Sequence, residues 1–319
     1  MKERNISIDI LKFIAVFFII NSHADICYPP KYQMLATGGA IGNALFLFCS
    51  GFTVFMGQMD RFDNWYKKRI NRIYPSVLAF LFFNSLFFGE TYSAGSLFFR
   101  SGWFIYCIMI YYIFLYLIKR YMSDRLNLAF ALSCIPVLIY YFFEDRNIVF
   151  MYKVQSFDFP KIFYFLFMLF GAMIGISKRK FKFRLLYDSL KLAGSIFIYY
   201  VFLFIASKYQ IIAQLQILSL LPLFAITFYF YKLCNAQELI SIVQSPIIKW
   251  IVYIVSMLTL EIYLVQFGIF TDKMNTLFPL NLFILIIIII IAYIVKVSSR
   301  IFSQTFNENK YNWENVFKL

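Results

Sequence analysis

The sequence predicts an all-α membrane protein with about ten transmembrane helices. Of the 319 residues, 62% are hydrophobic and only 14% are charged, whereas soluble domains carry about 25% charged residues. The chain also contains a series of apolar runs. A helix that spans a bilayer needs about 20 residues, and each run is close to that length. These runs are 8–27, 40–57, 73–89, 102–118, 128–143, 160–177, 190–207, 212–231, 250–270 and 279–298.

The basic residues predict the orientation of these helices. With the N-terminus in the cytoplasm, 23 of the 30 Lys and Arg residues fall on the cytoplasmic side, including those of segments 58–72 and 178–191. Cytoplasmic loops of membrane proteins carry an excess of basic residues. An even number of helices returns the C-terminus to the same side, so we expect an N-in, C-in topology. The net charge of +14 is thereby explained by topology and contact with membrane lipid, and we expect no nucleic acid partner.

The remaining segments are too short to form another domain. We expect one membrane domain over 1–300 and a short cytoplasmic tail over 301–319. The start of the chain resembles a signal peptide, but Asp9 and Lys12 interrupt its apolar run and no small-residue cleavage site follows. The five cysteines stand singly in apolar stretches, with no metal-ligand or redox spacing. They predict packing, and we expect no metal site.

Charged and polar residues mark one face of the first helix. At 100° per residue, Lys12 lies about 20° and Asp9 about 40° from His23 around the helix axis, so the three residues share one face. His23 is the sole histidine of the chain. It is therefore the side chain whose unperturbed pKa suits acid–base chemistry near neutral pH. The alternative is an interfacial histidine hydrogen-bonded to a neighbouring helix. Asp25 would orient the imidazole only if the helix frays before it.

Four motifs in order resemble the acyltransferase-3 family of integral membrane proteins. They are Ser7-Ile8-Asp9-Ile10-Leu11-Lys12, then His23, then Gly42-Asn43-Ala44-Leu45-Phe46-Leu47-Phe48-Cys49-Ser50-Gly51-Phe52, then Lys68-Arg69-Ile70-Asn71-Arg72-Ile73-Tyr74-Pro75. Trp103-Phe104 and Glu261-Ile262-Tyr263-Leu264-Val265-Gln266 resemble later landmarks of the family. Two positions depart from its pattern. Lys12 stands where the family usually has Arg, and Gln266 stands where many members have a second histidine.

The resemblance implies an O-acyltransferase of the bacterial cytoplasmic (inner) membrane. The donor would be acetyl-CoA or another acyl-CoA, used as a co-substrate with no permanently bound cofactor. The acceptor would be a hydroxyl of a cell-surface glycan or its lipid-linked precursor, such as an O-antigen, capsule or exopolysaccharide unit. A transporter or flippase of lipid-linked sugars, or a glycan polymerase, is the alternative. The chain shows no inverted repeat of the kind common in transporters.

The residues themselves suggest roles within such a reaction. For catalysis we predict His23 as general base, Asp25 as its partner and Ser50 as an oxyanion donor, although Ser50-Gly51 also suits a close helix-packing point. The residues predicted to bind the acyl-CoA donor are Arg69, Arg72, Tyr74, Lys12 and Asp9. The two arginines suit the phosphates of CoA, or else they anchor the helix at the cytoplasmic face.

Three further residues are predicted to meet the acceptor. Arg100 and Trp103 precede or begin the fourth span and would bind a sugar by hydrogen bonds and ring stacking, although tryptophans also form interfacial belts. Glu261 lies within the ninth span, where a carboxylate needs a basic partner or a proton. Lys12 is a candidate for that partner.

Overall fold

The computed structural model describes residues 5–92, 103–143, 151–152, 159–177, 179, 181–307 and 310–318. These residues form α-helices and short 3₁₀ turns, and no strand occurs among them. The helices are α1 (Ile6–His23), α2 (Gly39–Met56), α3 (Phe62–Phe88), α4 (Trp103–Tyr121), α5 (Leu126–Phe143), α6 (Pro160–Ile176), α7 (Leu185–Lys208), α8 (Gln210–Gln214), α9 (Leu220–Cys234), α10 (Gln237–Val243), α11 (Pro246–Met257), α12 (Thr259–Ile269), α13 (Ile284–Asn307) and α14 (Trp313–Phe317).

Eight of the described helical segments are long and apolar enough to cross a membrane, or nine if α10 and α11 count as one broken span. The predicted span 160–177 corresponds to α6, which has 17 residues. The predicted span 250–270 is divided between α11 and α12 by a break at Leu258. Every predicted apolar run therefore overlaps an observed helix, while helix length and composition support eight or nine crossings.

Helix α3 begins earlier than the sequence suggested. The segment 58–72 was expected to be a cytoplasmic connector, but α3 starts at Phe62 and runs for 27 residues. Polar residues fill its first turns because an α-helix end facing water needs no apolar face. The helix was predicted to begin at residue 73, just before Pro75, but Pro75 lies well inside it. That prediction is wrong, since proline also occurs within membrane helices when neighbouring groups satisfy the freed carbonyl.

Two compact units make up the chain. The first comprises Met1–Ala15, Ala40–Met59 and Tyr111–Lys249. In it, α7 packs along α9, and α5 packs along α6. At the start of α1, the Asn5 side-chain oxygen accepts hydrogen bonds from the backbone N–H groups of Ser7 and Ile8. This caps backbone donors that a helix cannot satisfy internally.

Two glycines bring α2 and α6 of the first unit into close contact. A Cβ atom on Gly51 would overlap the backbone carbonyl of Met168, and one on Gly171 would overlap the backbone carbonyl of Phe48. Each helix therefore places a glycine against the backbone of the other. Small residues permit such approach in membrane helix pairs. The packing alternative predicted for Ser50-Gly51 is present in the structure.

The second unit comprises Val16–Gly39, Asp60–Ile110 and Trp250–Leu319. Its centre is formed by α3, α12 and α13, each of which packs against the other two. The short helix α14 folds back onto α13, where the Tyr293 hydroxyl donates a hydrogen bond to the Phe317 carbonyl at 2.9 Å. The segment between α1 and α2 packs against the 3₁₀ turn Asp272–Leu277.

Replacing Gly51 with alanine should destabilise the protein, because the added methyl group meets backbone that no rotamer change can move. We expect a loss of about 1–3 kcal/mol, as for overpacked cores. Gly194→Ala is the matched control. A Cβ atom there meets nothing within 4 Å, and Gly→Ala inside a helix typically stabilises by about 0.5–1 kcal/mol. Thermal unfolding in detergent compares the two, and equal stability of both variants would contradict the close contact.

Candidate active site in the second unit

His23 is the last residue of α1. Its imidazole is half-buried and packs against the ring of Phe267 on α12, with the ring centroids 4.6 Å apart. No described residue forms a hydrogen bond with the imidazole. The sequence suggested a second role for His23, as an interfacial residue hydrogen-bonded to a neighbouring helix. Among the described residues, no such hydrogen bond is present.

Asp25 lies just beyond the end of α1, in the 3₁₀ turn Asp25–Cys27. The helix thus ends before Asp25. In a continuous helix, the side chain of Asp25 would point away from His23, so this helix end is what allows Asp25 to approach the imidazole. Asp25 is exposed and interacts electrostatically with His23, but no hydrogen bond joins the two side chains. Its role as an orienting partner stays a prediction.

The segment after His23 is tied to the end of α1 by Asn21. The Asn21 side-chain amide donates to the backbone carbonyls of Leu35 at 2.8 Å and Thr37 at 2.9 Å. The Tyr28 hydroxyl donates to the Asn21 side-chain oxygen at 2.6 Å. Because one amide satisfies three groups of the segment, this connection between α1 and α2 is fixed to the end of α1.

Cys27 lies near His23 in sequence and is buried. Its thiol donates a hydrogen bond to the Thr271 carbonyl, with the sulfur 3.7 Å from the oxygen. Burial raises the pKa of the Cys27 thiol, so the sulfur remains protonated near neutral pH and is a weak nucleophile. This agrees with the packing role that the sequence predicts for the cysteines.

A row of aromatic rings connects His23 with the start of α4. Phe267 packs against Tyr263 with the ring centroids 6.0 Å apart, and Tyr263 packs against Phe104 at 5.3 Å. Phe104 in turn contacts Trp103 at 5.8 Å in an edge-on arrangement. Trp103, a predicted acceptor residue, and His23 are therefore linked through side chains of one unit. Arg100, the other predicted acceptor residue near it, lies outside the described residues.

Glu261 is fully buried and paired with Lys296. The Lys296 ammonium lies 2.8 Å from the Glu261 carboxylate, and Ser76 donates a hydrogen bond to the same carboxylate oxygen. The Ser76 hydroxyl also lies 3.4 Å from that of Ser299. Lys12 was the partner suggested from the sequence, whereas the structure gives Glu261 a lysine on α13. The pair joins α12 to α13, and Ser76 adds α3.

The sequence contains a signal for the pair of Glu261 and Lys296, namely a lysine within an apolar run. Lys296 falls inside the predicted run 279–298, where a lysine needs a carboxylate partner, and the topology prediction includes it among the 23 cytoplasmic basic residues. Ser76 and Ser299 carry no distinctive motif and could not have been found from sequence. Phe267 is the residue after Gln266, which the sequence did single out. The contact between Phe267 and His23 nevertheless becomes visible only in the structure.

Three of the five predicted donor residues, Arg69, Arg72 and Tyr74, lie on α3. Because α3 begins well before Arg69, the two arginines are three residues apart on one helix and share a face. Arg69 is half-buried and Arg72 is exposed. The Arg69 guanidinium stands over the Trp65 ring, 4.6 Å from its centroid, and this contact orients the Arg69 side chain on α3.

The other predicted residues belong to the first unit. Asp9 is buried on α1, and Lys12 lies three residues further along the same helix. The Ser50 hydroxyl lies 3.0 Å from the Tyr112 hydroxyl, which gives Ser50 a structural hydrogen bond. The roles of Asp9, Lys12 and Ser50 in donor binding and catalysis stay predictions. No group of His, Cys, Asp and Glu in the described part of the chain is arranged to hold a metal ion.

One comparison with known proteins is informative. The model of the acyltransferase-3 family, described as an acyltransferase domain, matches residues 5–299. The match covers both units and includes every predicted site residue. No curated protein and no solved structure matches the chain significantly.

Breaking the buried ion pair should unfold or strongly destabilise the protein. Glu261→Gln leaves Lys296 without its counter-charge in apolar surroundings, and losing one partner of a buried pair typically costs about 3–5 kcal/mol. Adding Lys296→Met to that variant should recover part of the loss. The exposed pair of Arg61 with Asp63 provides the control, because Arg61→Ala should leave thermal stability unchanged. Equal stability of Glu261→Gln and Arg61→Ala in detergent would refute the importance of the pair.

Proposed function

Because the chain belongs to the acyltransferase-3 family, we propose that it transfers an acetyl group from acetyl-CoA to a hydroxyl of a cell-surface glycan or its lipid-linked precursor. The observation that carries this proposal is the family match over residues 5–299. The position of His23 supports it, since the sole histidine of the chain stands half-buried at a helix end with no hydrogen bond from a described residue. We place the protein in the bacterial cytoplasmic membrane with both termini in the cytoplasm.

His23 acts as general base in the proposed reaction. Its neutral imidazole takes the proton of the sugar hydroxyl while the hydroxyl oxygen attacks the thioester carbon of acetyl-CoA. The new C–O bond forms, the C–S bond then breaks, and the proton passes from the imidazolium to the departing CoA sulfur. The products are the O-acetylated sugar and free CoA, and His23 returns to its neutral form. Assistance of this kind accelerates such a reaction by about 10²–10⁴-fold.

Arg69 and Arg72 bind the donor. CoA carries a diphosphate and a 3′-phosphate, and a guanidinium binds phosphate through two parallel hydrogen bonds. Trp65 supports the Arg69 guanidinium from one side, which reduces the side-chain freedom that Arg69 would lose on binding. Tyr74, half-buried on the same helix, stacks on or hydrogen-bonds the nucleotide. The spacing of Arg69 and Arg72 on one face supports joint binding of the phosphates.

Trp103 belongs to the acceptor side of the proposed site. The ring contacts that run from Trp103 through Phe104, Tyr263 and Phe267 to His23 support an apolar wall beside the reacting groups. Aromatic faces suit the apolar faces of sugar rings, and excluding water from such a site favours transfer to the glycan over hydrolysis of the thioester.

Transport of lipid-linked sugars is a second function that one observation favours. An ion pair between Glu261 and Lys296 within apolar helices is typical of proton-coupled transporters. The two functions differ in a simple measurement. Purified protein in detergent should release free CoA from acetyl-CoA when glycan acceptor is supplied, whereas a transporter would leave acetyl-CoA intact.

Removing either donor arginine should weaken the binding of acetyl-CoA. Each of Arg69→Ala and Arg72→Ala loses a charge-assisted hydrogen bond worth about 1.5–3 kcal/mol, which corresponds to a Kd roughly 10-fold to 150-fold higher. Lysine at either position should restore binding only in part. Lys67→Ala, which removes an exposed cation from the same helix, is the control. If calorimetry gives the wild-type Kd for both arginine variants, the arginines serve another purpose.

Changing His23 should abolish transfer while preserving donor binding. His23→Ala should insert into the membrane and bind acetyl-CoA, with O-acetylation lower by at least about 10²-fold. His23→Gln retains a hydrogen-bonding side chain but takes no proton at neutral pH, so its activity should be similarly low. The measurement is the acetyl content of surface glycan in a deletion strain complemented with each variant at matched membrane abundance. Full acetylation by His23→Gln would exclude the general-base role.

A further inference from the structure

Gln266 is a fully buried glutamine whose amide is not satisfied by the protein. It lies on α12 with none of its surface exposed. Neither its side-chain oxygen nor its side-chain nitrogen has a hydrogen-bond partner among the described residues. A buried polar group without a partner loses the hydrogen bonds it made with water, and such groups in native proteins call for an explanation.

Gln266 lies on the same helix as residues that contact the proposed general base. The next residue, Phe267, holds its ring 4.6 Å from that of His23. Three residues before Gln266, Tyr263 packs against both Phe267 and Phe104. The same helix also carries Glu261, whose second carboxylate oxygen has no hydrogen-bond partner among the described residues. Unsatisfied polar atoms are thus found on the short helix that contacts the histidine.

The chemistry of the amide defines what it can hold. A glutamine side chain offers a carbonyl oxygen that accepts and an NH₂ group that donates. A carboxylate or phosphate satisfies only the NH₂ group, and an ammonium satisfies only the oxygen. A hydroxyl or a secondary amide satisfies both. The substrates of the proposed reaction contain both kinds of group, since the glycan has hydroxyls and the pantetheine arm of CoA has secondary amides.

We propose that Gln266 is a substrate-positioning residue whose side-chain amide accepts a hydrogen bond from, and donates one to, a substrate group that can do both. This inference rests on the proposed acyl transfer and assigns Gln266 a part in it. The residue orients a substrate beside His23 and takes no proton itself. Its buried amide is satisfied when that substrate is bound.

Gln266→Leu tests the proposal, because leucine has a similar size and lacks both polar atoms. We expect a higher melting temperature in detergent, since an unsatisfied polar group is removed, together with at least about tenfold weaker function. Gln304→Leu is the matched control. The Gln304 amide donates to the Asn312 carbonyl at 3.3 Å and accepts from the Asn312 N–H at 2.9 Å, so its loss should lower the melting temperature and leave substrate binding unchanged.

Two measurements distinguish the possible substrate groups. If Gln266 binds the pantetheine arm, the leucine variant should bind acetyl-CoA at least about tenfold more weakly but bind adenosine 3′,5′-bisphosphate, which lacks that arm, like wild type. If it binds the glycan hydroxyl, acetyl-CoA affinity should be unchanged while surface-glycan O-acetylation falls in complemented cells. Should Gln266→Leu not fold, Gln266→Met removes the same amide while keeping an unbranched side chain.

Unchanged acetyl-CoA affinity together with unchanged O-acetylation in the folded variant would overturn the proposal and indicate an amide served by buried water. The wild-type protein in the same assays separates this failure from that of the proposed function. If wild type neither binds acetyl-CoA nor acetylates glycan, acyl transfer itself is wrong, and the positioning role falls with it.

Discussion

The arrangement of the second unit depends on the ion pair between Glu261 and Lys296. An isolated carboxylate or ammonium within apolar helices is costly, roughly 2.5–3.5 kcal/mol on insertion scales, so each side chain requires the other. The pair fixes α12 against α13, and the hydrogen bond from Ser76 adds α3. Helix α12 has only 11 residues and begins after a break. Its position, and with it the contact of Phe267 with His23, therefore follows from this pair.

The first unit contains a similar solution to the same constraint. Asp188 on α7 is almost completely buried, and the Lys232 ammonium on α9 lies 2.6 Å from its carboxylate. The Asp188 carboxylate also accepts a hydrogen bond from the Arg184 backbone N–H at 2.7 Å. In each unit, a buried acid and a lysine from a distant part of the sequence hold two apolar helices together. Apolar packing alone gives such helices little preference for one neighbour over another.

Much of the fold could be predicted from the sequence because bilayer thickness dictates the length of apolar runs. Each of the ten predicted runs overlaps an observed helix. Eight or nine of the described helical segments are long and apolar enough to cross a membrane, so the structure supports fewer crossings than the ten runs. The break at Leu258 has no proline or glycine beside it, so hydropathy read 250–270 as continuous. The early start of α3 was not predicted because residues 62–72 are mostly polar and charged. Hydropathy cannot distinguish such a helix from a loop. Pro75 then suggested a boundary where the helix continues.

The candidate site was predictable to the extent that single residues stand out. An intramembrane histidine and an intramembrane glutamate attract attention by their cost alone, and the spacing of Arg69 and Arg72 indicates a shared face once a helix is assumed. Pairings over long sequence distances were not predictable. The partner of Glu261 lies 35 residues away at Lys296, and no local pattern selects it over Lys12. The unsatisfied amide of Gln266 required knowledge of every neighbouring side chain.

The reciprocal contact of Gly51 and Gly171 also affects how this protein tolerates sequence change. Many apolar side chains on the helix surfaces, such as those of Phe197 and Ile198, are largely exposed in the unit itself and can exchange with other apolar residues at little cost. At positions 51 and 171 the neighbouring backbone occupies the space of any Cβ atom. Neither glycine can be replaced to compensate for a change in the other, because the obstacle is backbone and not a side chain. We infer that apolar residues on the exposed helix surfaces can be substituted during neutral evolution, whereas the glycines at positions 51 and 171 are retained.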